Sequence, residues 1–112
     1  MTIYNPPVQM MLDQLRIHAD LDDIIARHEN SDFDGDLVEP VLEEAAKLAR
    51  DVIAPTNQEG DREGSVLDKD DHSVTTPKSF KPAYAAYRDA GWNAVPFPAE
   101  YGGQDLPVTI AF

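Results

Sequence analysis

The chain begins with two short stretches in which apolar residues recur at helical spacing. In the first, positions i, i+3, i+4 and i+7 form one apolar helix face: Val8, Met11, Leu12 and Leu15. The second places three apolar residues on one face: Leu21, Ile24 and Ile25. Asp20 stands directly before this second stretch, and aspartate is a favoured N-cap. We therefore predict two short helices before residue 30.

The strongest helical pattern spans residues 38–53, where apolar and charged residues fall largely on opposite sides. Asp36 and Glu39 have the spacing of a capping box at its start. With Asp36 as the cap, Pro40 removes the first intrahelical hydrogen bond, so the regular helix is expected to begin a turn later. Pro55 has no N–H to donate, which predicts that the helix ends or kinks there.

A long polar stretch, residues 56–75, follows this helix. It contains few apolar residues, two glycines and a charged run at 68–72, so we predict the most mobile loop of the chain. Val66, Leu67 and Val74 are expected to anchor it as short extended pieces.

A further helix is predicted to begin after this loop, with Thr76 as its cap and Pro77 in its first turn. Gly91 is expected to end it by adopting a positive φ. Four residues form its predicted buried stripe: Phe80, Ala83, Tyr84 and Tyr87. We expect this helix to pack antiparallel to the helix of residues 38–53, so the pattern as a whole predicts a small all-α fold of about four helices.

Composition narrows the classes of function. The 112 residues suffice for one domain with a modest core, and nine Lys and Arg against 21 Asp and Glu give a net charge of −12. Nucleic acid is therefore an unsuitable partner, because phosphate binding requires clustered cations. The absence of cysteine rules out disulfides and thiolate chemistry within these residues and fits a cytoplasmic protein. No apolar run reaches the roughly 20 residues of a bilayer span.

One acidic cluster resembles a calcium-binding loop in its spacing: Asp32, Asp34, Asp36 and Glu43. Such a loop requires glycine at its sixth position, where this chain has Leu37. Capping of the following helix by a solvated acidic loop is the favoured interpretation. The three histidines, His18, His28 and His72, lie on separate segments without a second ligand nearby in sequence, so no metal site and no catalytic residue is predicted.

The most informative segment is residues 91–107, GWNAVPFPAEYGGQDLP. The pair Gly102-Gly103 has no preceding strand and no phosphate-binding pattern around it, which favours a turn that requires a positive φ. Trp92 and Tyr101 are predicted to pack this loop onto the helices.

This segment resembles the stretch that closes the third helix in the N-terminal helical domain of flavin-dependent acyl-CoA dehydrogenases. The similarity extends to DVIAP at 51–55, NQEGDREG at 57–64 and the helix leading to Trp92. These patches resemble a subgroup of the family that includes 3-methylmercaptopropionyl-CoA dehydrogenase. The resemblance implies two parts, N-terminal leader helices at 1–30 and a truncated N-terminal helical domain at 31–112.

The resemblance also implies a function for a longer parent enzyme. Such an enzyme binds FAD through later domains and oxidises an acyl-CoA thioester to its α,β-unsaturated product, passing electrons to an acceptor. We expect the parent to be a homo-oligomer, and this segment to be structural, without catalytic or cofactor-binding residues. Tyr101, Gly102 and Gly103 are expected near the substrate pocket. An alternative hypothesis is a free-standing acidic helical module that binds a basic partner. Without its remaining domains, the segment is expected to self-associate through residues 8–15 and 108–112.

Overall fold

The computed structural model describes residues 3–28 and 32–111. Over these ranges the chain forms the following helices: α1 (Val8–His18), α2 (Leu21–Arg27), α3 (Val38–Leu48), α4 (Ala54–Glu63), α5 (Phe80–Asp89) and α6 (Val108–Ala111). A two-stranded antiparallel hairpin, β1 (Val66–Leu67) and β2 (Val74–Thr75), separates α4 from α5. The prediction of an all-α fold is confirmed, and no helix in the described part is long and apolar enough to cross a bilayer.

The two leader helices contribute to the same core as α3 and α6. The core residues are Val8, Leu12, Leu21, Phe33, Val38, Leu42, Ala46 and Ile110. Leu12 and Val38 are each only 1% exposed. Val8 and Leu12, which lie in a segment predicted to self-associate, are covered by α3 within the chain. Met11 was predicted to belong to that face but is 42% exposed.

Asp34 caps the 3₁₀ turn that leads into α3. Its carboxylate accepts a hydrogen bond from the N–H of Asp36 at 2.9 Å, and a 3₁₀ turn at Gly35–Leu37 leads directly into the helix. The prediction that Asp36 is the cap is wrong, because this tighter turn starts two residues earlier. Pro40 consequently lies in the first turn of α3, where its missing N–H costs no helical hydrogen bond. Capping by the acidic loop is confirmed, with Asp34 as the residue responsible.

The chain remains helical past Pro55. A π-helical turn, Ala49–Ile53, follows α3, with the N–H of Ala54 bonded to the carbonyl of Ala49 five residues earlier. Pro55 then lies at the start of α4, where an N–H is not required. Residues 56–63 are therefore helical instead of part of the predicted mobile loop. The change of hydrogen-bond register just before the proline is the physical reason.

Helix α5 begins at Phe80, later than predicted, and Pro77 is fully buried before it. Phe80 contacts Gly60 on α4, whereas Tyr87 shares a groove with Leu48 and Ile53. Helix α5 therefore runs antiparallel to the α3–α4 rod, as predicted, but lies against the π-turn and α4. Its predicted buried stripe is wrong: Phe80 is 41% and Tyr84 is 61% exposed.

The molecule is elongated, with extents of 54 × 37 × 21 Å and a radius of gyration of 17.5 Å. A compact chain of this length would have a radius of gyration of about 13 Å. Its accessible surface is 8258 Å², whereas a folded monomer of this mass exposes roughly 6,100 Å². The chain thus exposes more surface than a compact monomer of the same mass.

Candidate functional site

The loop between α5 and α6 is held in one conformation by its own backbone. Four N–H groups on its return arm donate to carbonyls on its outgoing arm: Gly103 to Pro98, Gln104 to Ala94, Asp105 to Phe97 and Leu106 to Val95, at 3.0–3.1 Å. This ladder makes the loop a rigid turn between two helices.

The two glycines of this loop have different roles. Gly102 has φ of +85°, which confirms the predicted turn with a positive φ. Gly103 has an ordinary φ, but a Cβ atom there would lie 1.8 Å from the carbonyl oxygen of Phe97. Close approach of two backbone segments, not the dihedral angle, therefore requires glycine at position 103.

The loop presents two aromatic side chains to solvent. Tyr101 is 80% exposed and Phe97 is 55% exposed. The prediction that Tyr101 packs the loop onto the helices is wrong, because its side chain, at the end of the 3₁₀ turn Ala99–Tyr101, is almost entirely exposed. Trp92, at the base of the loop, is half-buried and lines the apolar groove described next.

An apolar groove of about 220 Å³ opens between α3, the π-turn, the end of α5 and α6. Aliphatic and aromatic side chains line it: Val41, Leu42, Ala45, Leu48, Ile53, Tyr87, Trp92, Val95, Ile110 and Ala111. None of these side chains carries a charge, and the polar groups among them are the hydroxyl of Tyr87 and the indole N–H of Trp92. Such a lining can hold hydrocarbon but supplies no general acid or base at neutral pH.

The predicted neighbourhood of the substrate pocket, Tyr101, Gly102 and Gly103, forms the tip of the loop and does not line this groove. The groove and the tip are connected through Val95, whose carbonyl accepts from Leu106. The structure thus places the three residues on a rigid projection beside an apolar surface.

A second, wider groove of about 1150 Å³ lies between the N-terminal segment and α4. Its charged residues are mixed in sign: Arg50, Glu59, Asp61, Arg62, Glu63 and Lys78. Equal numbers of cations and carboxylates give it no preference for an anion. The smaller apolar groove is therefore the better candidate for a functional surface.

Two side chains that sequence reasoning did not connect hold the loop in place. His28, at the end of α2, directs Nε2 at the carbonyl oxygen of Asp105 at 2.5 Å, and its ring meets Phe33 edge to face. Gln104 donates from its side chain to the carbonyl of Gly91 at 3.0 Å. The leader and the end of α5 thus both support the loop. No local sequence pattern predicts the His28 contact, because its partner Asp105 lies 77 positions away and approaches it only on folding.

No charged side chain of the described residues lines the apolar groove between α3 and α6. Among residues 3–28 and 32–111, no group of three His, Cys, Asp or Glu side chains could hold a metal ion. In the hairpin turn, the Ser73 side chain and its N–H both donate to Asp71 and lower the pKa of that carboxyl. Turn geometry accounts for this shift.

The sequence matches two curated enzymes over most of its length. It is 35% identical over 92 residues, 82% of the chain, to the broad-specificity linear acyl-CoA dehydrogenase FadE5 of Mycobacterium tuberculosis. It is 30% identical over 107 residues, 96% of the chain, to 3-methylmercaptopropionyl-CoA dehydrogenase of Ruegeria pomeroyi. The chain belongs to the acyl-CoA dehydrogenase family. No family model matches it.

The matched segment spans only 15% and 18% of the length of these two acyl-CoA dehydrogenases. The all-α fold agrees with the helical N-terminal domain of this family.

Proposed function

We propose that this chain is the N-terminal part of a longer FAD-dependent acyl-CoA dehydrogenase that oxidises an acyl-CoA thioester to the α,β-unsaturated product. The observation that carries the proposal is the match to two acyl-CoA dehydrogenases over 82% and 96% of the chain. In the parent, FAD would supply the acceptor for the hydrogen that leaves the β-carbon, and a carboxylate base would take the α-proton. Neither the base nor the flavin contacts are assigned to residues of this segment.

The role proposed for the segment is structural. The uncharged groove, lined by Trp92 and Ile110 among others, suits a wall that keeps water away from a hydrocarbon chain. Tyr101, Gly102 and Gly103 are proposed to lie near the substrate pocket of the assembled enzyme, because the rigid turn holds them at a fixed position beside this wall.

We propose that this segment does not bind FAD by itself. The apolar groove, at about 220 Å³, is smaller than the roughly 300–1,000 Å³ of pockets that enclose a whole ligand. It also offers no cations or backbone cradle for a pyrophosphate. We therefore assign cofactor binding to the remaining domains of the parent. We propose that the parent is a cytoplasmic homo-oligomer. It passes its electrons to a separate acceptor.

The test compares the parent enzyme with the 112-residue chain. The parent, expressed from the full reading frame, should carry a flavin absorption band and reduce an artificial electron-accepting dye when given acyl-CoA. The 112-residue chain, purified in parallel, should do neither. A colourless and inactive parent would contradict the enzymatic proposal, and near-stoichiometric flavin on the short chain would contradict the structural role. A reading frame that stops after Phe112 would instead favour the acidic interaction module.

The pocket role has its own test in the parent. Tyr101→Ala should raise the KM for acyl-CoA, because an exposed aromatic ring at a fixed turn is removed from the pocket neighbourhood. Tyr84→Ala removes the same kind of ring, 61% exposed, from α5 and serves as the control. Equal KM values for both variants and the unsubstituted parent would contradict a position of Tyr101 near the substrate pocket.

A further inference from the structure

The hairpin β1–β2 is an ordered element that buries none of its own strand residues. Val66, Leu67 and Val74 are 63%, 56% and 60% exposed. A two-stranded hairpin is at best marginally stable by itself in water. Its order must therefore come from elsewhere in the chain.

The base of the hairpin is fixed to the helices. The N–H of Lys78 donates to the carboxylate of Glu63 at 3.1 Å, which joins the segment after β2 to the end of α4. Pro77 is fully buried beside this junction, and Phe80 contacts Gly60. The hairpin consequently leaves the helices in a defined direction.

The tip of the hairpin is fixed by aspartate side chains. Asp68 accepts from the N–H of Asp70 at 2.8 Å, and Asp71 accepts from the N–H of Ser73 at 2.8 Å. A backbone bond from Asp68 to the carbonyl of Ser73 closes the turn. Base and tip together hold the strands without help from their apolar side chains, so those side chains are free to contact something else.

The two faces of the hairpin differ. Leu67 is paired with Val74, and Val66 is paired with Thr75, so the pairs project to opposite faces. The Leu67–Val74 face is entirely aliphatic, whereas the other face carries a hydroxyl. The tip beyond this pair carries three aspartates and one cation, Lys69, so it is acidic overall.

We propose that the Leu67–Val74 face is a docking surface for an apolar segment of the longer parent polypeptide, flanked by lysine or arginine residues that meet the aspartates of the tip. This inference rests on the proposed parent enzyme. Charge selects the chemistry of the occupant, since an acidic tip attracts a basic surface. A second copy of this chain is a poor occupant, because each copy carries a net charge of −12. The relatives, of which the chain spans 15% and 18%, have ample additional chain to supply it.

Hydrogen exchange of the peptide covering residues 66–75 tests the proposal in the parent enzyme. Exchange should be slower in the parent than in the 112-residue chain, independently of protein concentration. Val74→Thr in the parent should accelerate it by roughly tenfold, as when an aliphatic side chain loses its apolar cover. The matched control is Val66→Thr, the same substitution at similar exposure on the opposite face, which should leave exchange unchanged.

A charge variant completes the experiment. Asp70→Asn removes a charge whose carboxylate does not form the tip bonds described above, and it should accelerate exchange in the parent at low salt but not at high salt. Equal exchange in the parent and the short chain would overturn the proposal. So would slowing that appears only as the parent self-associates, or equal effects of the Val66 and Val74 variants. The dye-reduction assay is independent of these measurements, so an active parent with an unprotected hairpin refutes the docking surface alone.

Discussion

His28 Nε2 lies 2.5 Å from the carbonyl oxygen of Asp105, a contact between residues 77 positions apart. Asp105 has φ of +53°, an uncommon conformation for a residue other than glycine. The contact therefore ties the end of the leader to the point at which the loop turns back towards α6. It makes the leader a support for the loop that is proposed to lie near the substrate pocket.

Removal of this contact should lower stability. His28→Ala is expected to reduce the free energy of unfolding by about 1–2 kcal/mol, because a part-buried hydrogen bond and an edge-to-face ring contact with Phe33 are lost. His18→Ala, at the exposed end of α1, should change it by less than about 0.5 kcal/mol. Urea denaturation followed by circular dichroism measures both. Equal midpoints for the two variants would show that the His28 contact contributes nothing.

The two loop glycines should respond differently to alanine. Gly103→Ala places Cβ 1.8 Å from the Phe97 carbonyl oxygen, and backbone cannot move aside as a side chain can. A loss of about 3 kcal/mol is expected. Gly102→Ala meets no neighbouring atom and should cost about 1–2 kcal/mol for its positive φ alone. Thermal unfolding of both variants checks the order, and a reversed order would contradict the close approach at Gly103.

The position of the core predicts a contrast between Leu12 and Tyr84. Leu12→Ala should lower the free energy of unfolding by about 2–5 kcal/mol, because its side chain is 1% exposed in the core. Tyr84→Ala should lower it by less than about 1 kcal/mol, since that ring is 61% exposed. Chemical denaturation of both variants tests whether the core lies under the leader. A larger loss of unfolding free energy for Tyr84→Ala than for Leu12→Ala would place the core under α5 instead.

Gly60 and Phe80 should show coupled effects on stability. A Cβ at Gly60 would lie 2.7 Å from the Phe80 ring, so the gain in helix propensity from Gly60→Ala is offset by displacement of that ring. In a Phe80→Ala background the same substitution should stabilise α4 by about 1 kcal/mol. A double-mutant cycle of unfolding free energies measures the coupling. Additive effects would exclude contact between the two residues in solution.

Local patterns in the sequence were sufficient for α1, α2 and α3 and for the turns at Gly91 and Gly102. The stripe containing Val8 and Leu12, the amphipathic pattern after Val38 and the glycine at position 91 each predicted a feature that the structure contains. These features depend on side-chain periodicity or on a single backbone dihedral angle, which neighbouring residues determine. The family, too, could be inferred from residues 91–107, because that segment combines several turn-forming residues in a specific order.

Other features were decided by alternative local turns or by contacts between distant segments. Pro55 predicts that the helix ends or kinks, and the structure has a π-turn just before it, after which the helix continues. Asp34 replaces Asp36 as the cap through a local 3₁₀ turn. Periodicity shows which residues share a face, but not whether another segment covers it. The inner face of α1 is covered by α3, whereas the Tyr84 face of α5 remains open. The His28 contact and the close approach at Gly103 likewise exist only because folding brings separate parts of the backbone together.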